Sequence, residues 1–168
     1  MSDHNSGPHH DAAAGAKKQL AALESSLAPI FAKAPHIPQN GRDVIVQIAP
    51  WLALIFGVLG ILSGLSLAGL GSFALPYMMV GYGYGLNGMI ITIAVLVVIV
   101  TSVLELLAWK PLSDRKKKGW NYLFYATVLS AVGAILQAVF GGSGAISGLI
   151  GAVIGFWLLF EVRSMYHA

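Results

Sequence analysis

Charged residues are scarce in this 168-residue chain, and cysteine is absent. Only 10% of the residues are charged, whereas soluble domains carry about 25%. The 57% share of hydrophobic residues excludes an ordinary soluble domain and indicates a membrane protein. The absence of cysteine excludes disulfides, thiolate metal sites and lipid anchors on cysteine.

Four long apolar stretches predict an all-α, polytopic membrane protein with four transmembrane helices. We place the spans at about residues 44–70, 87–109, 120–140 and 144–163. Each comes close to or exceeds the roughly 20 residues that cross a bilayer. Short connections make sequential helices antiparallel neighbours, so the prediction is two antiparallel hairpins.

The ten lysines and arginines all fall on one side of this topology. They lie before the first span, between the second and third, or at the very end of the fourth, whereas residues 71–86 and 141–143 carry no charge. Basic residues stay at the cytoplasmic face during insertion, so both the N-terminus and the C-terminus are predicted to be cytoplasmic. The net charge of +3 fits loops near anionic lipid headgroups, and no nucleic-acid partner is predicted.

The chain before the first span divides into three predicted parts. Residues 1–11 are polar and predict a disordered tail, in which His4 is a weak candidate ligand for Cu(II) or Ni(II). Residues 12–33 predict an amphipathic cytoplasmic helix, which rests on the membrane surface or docks a cytoplasmic partner. Residues 34–42 form a linker with two prolines, and residues 43–168 form the transmembrane bundle.

Small residues recur four positions apart on several spans and predict close helix contacts. The candidates are Gly60 and Gly64 on the first span and Gly148, Gly151 and Gly155 on the fourth. Two interpretations stay open at this point. These faces pack within a single four-helix bundle, or they contact further copies of the chain or other membrane protein subunits.

Glu105 is the main candidate for chemistry, because ionisable groups in spans are costly and often functional. We expect it near the cytoplasmic end of its helix, at the depth of Gln47, Lys110 and Arg163. There Glu105 would pair with Arg163 or Lys110 as a polar clasp. The alternative is a carboxylate that couples to the movement of a proton or cation. No charged residue lies in the middle of any span, which argues against a proton-coupled carrier.

Two connecting segments carry further candidates. Residues 80–83 read VGYG, as in the core of the potassium-channel selectivity filter. The preceding residues make a poor pore helix, so we favour an apolar outer loop. The basic run after the second span is predicted to contact anionic lipid, with an acidic protein surface as the alternative. Its residues are Arg115, Lys116, Lys117 and Lys118.

From residue 43 onward the chain resembles a set of small, uncharacterised bacterial membrane proteins with four spans, some of them labelled chromate transporters. The resemblance rests on Ala49-Pro50-Trp51-Leu52, on Glu105, on Lys118-Gly119-Trp120 and on residues 151–163. It implies a four-span protein of the bacterial inner membrane and no established activity.

No arrangement of a nucleophile, a phosphate loop or paired metal ligands is present in the sequence, so neither an enzyme activity nor a cofactor is predicted. We expect a non-enzymatic membrane accessory, scaffold or assembly subunit surrounded by membrane lipids. The alternative is a small oligomeric transporter or channel that uses the glycine- and tyrosine-rich outer loop and Glu105.

Overall fold

A computed structural model of the protein describes residues 8–82, 86–139 and 145–167. These residues form five α-helices and no strand, so the all-helical prediction is confirmed for the described part. The helices are α1 (Pro8–Phe31), α2 (Gln39–Tyr82), α3 (Leu86–Ser113), α4 (Lys117–Val139) and α5 (Ala145–Val162), and a short 3₁₀ helix (Arg163–Met165) follows α5.

Four helical segments are long and apolar enough to cross a membrane. They are Gln39–Ser66, Thr92–Ser113, Lys117–Val139 and Ala145–Met165. Each overlaps one of the four predicted spans, which confirms the number of candidate spans. Continuous helices of this kind satisfy all backbone hydrogen-bonding groups internally, as a bilayer core requires.

Two predictions at the start of the chain are wrong in their boundaries. Helix α1 begins at Pro8, inside the predicted tail, whereas residues 1–7 and therefore His4 lie outside the described residues. Helix α2 begins at Gln39, inside the predicted linker. Its first turn follows Pro38, whose carbonyl accepts from the backbone N–H groups of Gly41 and Arg42.

Two predicted helix ends are also wrong. Helix α2 continues to Tyr82 through most of the predicted outer loop, because glycine and proline are tolerated in apolar helices of this kind. The first three residues of the VGYG sequence are therefore helical, and Gly83 lies outside the described residues. Helix α3 passes Pro111 and ends at Ser113. A proline so close to a helix end removes only one backbone bond.

The chain divides into two units at His36. Helix α1 belongs to the first unit, and α2–α5 belong to the second. Within the second unit, α2 packs on α3, α3 on α4, and α4 on α5, with a smaller contact between α2 and α5. Gly57 lies opposite Leu106, and Gly64 lies opposite Ile99, so α2 and α3 run in opposite directions.

The largest buried side chains lie where residues 110–124 meet residues 156–167, which we call the basic end. Leu112, Trp120 and Phe124 are fully buried there. Elsewhere most of the helix surface is apolar and exposed, including Leu62, Leu96 and Ile146. A bundle with so much outward apolar surface needs lipid or protein around it.

Candidate functional site

The first predicted small-residue face lies between α2 and α3. A Cβ atom added at Gly64 would lie 2.8 Å from Ile99 Cγ1, and one at Gly60 would overlap the Ser102 hydroxyl. Ser102 is itself buried and donates to the Val98 carbonyl over 2.7 Å. Both glycines therefore let α2 approach α3 closely. This contact agrees with the first interpretation, in which the small-residue faces pack within a single bundle.

The glycines of α5 do not all share one role. A Cβ atom at Gly148 would lie 2.9 Å from Ala134 Cβ, and one at Gly155 would lie 3.3 Å from Thr127 Cγ2. These two glycines hold α5 against α4. A Cβ atom at Gly151 would meet no described atom within 4 Å, so this glycine faces outward from the bundle.

The predicted pairing of Glu105 with Arg163 or Lys110 is wrong. Within residues 8–82, 86–139 and 145–167, Glu105 takes part in no ion pair or hydrogen bond. The guanidinium of Arg163 lies instead over the Trp120 ring, 5.6 Å from its centroid. Residue depth alone suggested the pairing, but the direction in which each side chain leaves its helix decides it.

Glu161 makes the polar contacts that were expected of Glu105. Its side chain is only 4% exposed, and its Oε1 accepts from the backbone N–H of Ile37 over 3.0 Å. The Nε atom of Arg42 lies 3.6 Å from the same oxygen. The carboxylate therefore holds the segment before α2 against the end of α5, which is a structural role at the basic end.

Trp120, near the start of α4, is a buried indole. It is 1% exposed, and its indole N–H donates to the Leu159 carbonyl over 2.7 Å. Its ring stacks on Phe124 at 5.3 Å and meets Phe160 edge-on at 5.9 Å. The signal in the sequence was the spacing of four between aromatic residues on both α4 and α5, which places each pair on one helix face.

The basic run forms a structured connection between α3 and α4. The backbone N–H of His167 donates to the Arg115 carbonyl over 3.0 Å, and that of Lys117 donates to the His167 carbonyl over 2.7 Å. Lys116 pairs with Asp114 at 3.1 Å, and Lys118 lies over the Tyr122 ring. Arg115, Lys116 and Lys118 are exposed, so their charges stay available to lipid headgroups or an acidic partner.

Gln47 does not join Glu105 either. It lines a separate polar cavity of about 460 Å³ at the basic end, together with Asp43, Trp51, Ser113 and Arg115. Trp51 is 60% exposed there, as expected for an indole at a membrane interface.

Two further cavities meet at Glu105. The first, which we call the far cavity, has a volume of about 440 Å³ and lies between α2, α3 and α4. Hydroxyl and amide groups are part of its lining. They belong to Ser63, Thr101, Ser102, Ser130 and Gln137.

The second cavity, which we call the groove, has a volume of about 320 Å³ and is lined by residues of α2, α3, α4 and α5. Glu105, Thr127 and Tyr166 are the polar residues of its lining, and its other lining residues are apolar. Phe56 and Glu105 line both cavities. The carboxylate of Glu105 is therefore at the junction of the far cavity, which hydroxyl and amide groups line in part, and the apolar groove.

Tyr166 closes the groove at the basic end. The residue is 5% exposed, and its hydroxyl has no hydrogen-bond partner among the described residues. Burial raises the pKa of Tyr166 from 10.0 to about 12, and the positive charge of Arg115 acts in the opposite direction. The hydroxyl is thus a buried polar group whose bonding capacity is unused.

Metal ligation finds no support in the described part of the chain, where no group of three histidine, aspartate or glutamate side chains comes together. No family model, curated protein or solved structure matches the chain. The resemblance to small four-span bacterial membrane proteins therefore stays a prediction.

Proposed function

We propose that this chain is a non-enzymatic integral membrane protein that acts as an accessory or assembly subunit. Its four spans form two antiparallel hairpins in a bacterial inner membrane, with both termini in the cytoplasm. The positions of the ten basic residues support this orientation. A cysteine introduced at Lys116 should react with an impermeant maleimide only after cells are permeabilised, and labelling of intact cells would contradict the orientation.

The observation that carries the assembly proposal is the outward face of α5 around Gly151. Gly60, Gly64, Gly148 and Gly155 are used within the bundle, whereas Gly151 faces away from every described neighbour. Ile150 and Ile154 beside it are exposed. Small residues at such a position let a second helix approach closely in lipid, so this face suits another copy or another membrane subunit.

The matched pair Gly151→Leu and Gly148→Leu tests this proposal. Gly151→Leu should leave the bundle intact and reduce the share of assembled protein, because its side chain enters only the intersubunit space. Gly148→Leu should instead destabilise the bundle, since the added side chain meets Ala134. The measurement is native mass spectrometry of protein extracted with its surrounding lipids, combined with thermal unfolding of each variant.

The result that counts against assembly is unchanged complex formation by Gly151→Leu. A lone wild-type monomer would also contradict the proposal. The absence of cysteine permits a second assay. A single cysteine at Gly151 should form oxidative cross-links in membranes, whereas one at Val100, on the exposed surface of α3, should not.

A second candidate function is a small oligomeric transporter or channel. It is favoured by the position of Glu105, which lines two cavities at once and has no described ionic partner. If it is correct, Glu105→Gln abolishes flux into liposomes and leaves assembly intact. Flux that is unchanged by this substitution would reject Glu105 as a transport residue.

A further inference from the structure

The groove and the far cavity follow one another along the helix axis. On α2, residues 44–56 line the groove and residues 56–63 line the far cavity. On α3, Leu112 and Glu105 line the groove, and residues 93–105 line the far cavity. Glu105 marks the boundary on α3, and Phe56 marks it on α2.

The lining residues occupy one face of each helix. On α3, Ala94, Val98, Thr101 and Glu105 are spaced by three or four residues, and all of them line the far cavity. This spacing places them in a single stripe along the helix. The two cavities therefore adjoin at Glu105, and we call the two together the path: the groove is its apolar half toward the basic end, and the far cavity is its partly hydroxyl-lined half.

Unused polar atoms are found in both halves of this path. The Thr101 hydroxyl in the far cavity and the Tyr166 hydroxyl in the groove have no hydrogen-bond partner among the described residues. Tyr166 is more than nine-tenths buried. Buried polar groups are normally hydrogen-bonded, so the two orphaned hydroxyls, together with the unpaired Glu105 carboxylate, leave bonding capacity along the path for a bound molecule.

The surroundings of Glu105 restrict the charge and polarity of that ligand. A carboxylate in apolar surroundings favours a positive partner. A small inorganic cation needs several oxygen ligands to replace its water, and the groove offers it mainly aliphatic side chains. A cation whose charge is spread over an apolar body loses less hydration and gains contact with such walls.

We propose that the path centred on Glu105 binds a lipophilic organic cation, whose positive charge lies beside the Glu105 carboxylate. The apolar body of the ligand lies in the groove against residues such as Leu52 and Leu158, which line it. The proposal adds a class of ligand to the second candidate function. It requires neither assembly of several subunits nor transport of the ligand. A binding measurement alone tests the ligand proposal. A negative result would therefore not be confused with a failure of the assembly proposal.

The experiment uses the full chain in nanodiscs of zwitterionic lipid and radiolabelled tetraphenylphosphonium in equilibrium dialysis. Saturable binding above that of empty nanodiscs is expected. Glu105→Gln should weaken it by about tenfold or more, as loss of a charged partner implies. Asp43→Asn is the matched control. It removes a carboxylate that lines the separate polar cavity, and binding should be unchanged.

Tetraphenylborate has the same shape and the opposite charge, so it should compete poorly. If Glu105→Gln does not fold, Ser130→Leu provides a second variant. It should also weaken binding about tenfold, because the leucine side chain would take up space in the far cavity, which Glu105 also lines. Equal binding by wild type and the folded variant, equal competition by tetraphenylborate, or no saturable binding would each overturn the proposal.

Discussion

Replacing Trp120 with phenylalanine tests whether the basic end is held together by a buried indole. The substitution keeps an aromatic ring beside Phe124 and removes the N–H that donates to the Leu159 carbonyl over 2.7 Å. It also shrinks the ring surface that Arg163 covers. Trp51→Phe is the matched control, since that indole is 60% exposed.

The expected decrease in the free energy of unfolding has three contributions. The hydrogen bond contributes about 1 kcal/mol net, and the guanidinium–ring contact about 0.5–1 kcal/mol. The space left by the smaller ring costs about 1 kcal/mol more in a fully buried site. Trp120→Phe should therefore lower the free energy of unfolding by about 2–3 kcal/mol, whereas Trp51→Phe should change it by less than about 0.5 kcal/mol.

The assay is reversible unfolding in mixed micelles with increasing SDS, followed by circular dichroism so that the loss of an indole does not change the signal. Both variants are measured in the same lipid and detergent. Equal stability of Trp120→Phe and Trp51→Phe would refute the reasoning, because the buried hydrogen bond and ring contacts would then contribute nothing measurable.

Three further outcomes are expected at the basic end, each measured by unfolding in the same micelles. Gly119→Ala should cost about 2–3 kcal/mol, because its Cβ would lie 2.6 Å from the backbone N of Leu112; wild-type stability would contradict that close approach. Glu161→Ala should cost about 3 kcal/mol by removing a buried, bonded carboxylate, and a loss below about 1 kcal/mol would contradict its structural role. Because burial raises the pKa of Tyr166 to about 12, the wild type keeps its full stability below pH 10 and loses about 2 kcal/mol between pH 10 and pH 12. Tyr166→Phe should lack that loss, and identical pH profiles would exclude Tyr166 as its source.

Hydropathy predicted the number of apolar helices because the need to bond every backbone group in lipid leaves few alternatives. It was less successful at the ends of the helices. Helix α2 extends to Tyr82 although glycines are frequent beyond residue 68. The low helix propensity of glycine is only a small free-energy cost, and contacts with the surrounding structure can outweigh it.

The candidate site was harder to predict because sequence gives depth in a membrane more readily than direction around a helix. Glu105 was expected at the depth of Arg163, which follows Glu161 by two residues, yet Glu161 is bonded at the basic end and Glu105 lines two cavities. Likewise Trp120 and Trp51 are both indoles on apolar helices, and of these two only Trp120 is buried. Which side of a helix meets a neighbour depends on packing between spans that are far apart in the chain.

The two backbone hydrogen bonds between His167 and the connection between α3 and α4 can form only late in the synthesis of the chain. Residue 167 leaves the ribosome about 50 residues after Arg115 and Lys117, once α4 and α5 have been synthesised. During that interval these bonds are missing, and the connection between α3 and α4 lacks its contact with residue 167. A nascent chain stopped before Arg163 would contain all five α-helices and still lack these two hydrogen bonds.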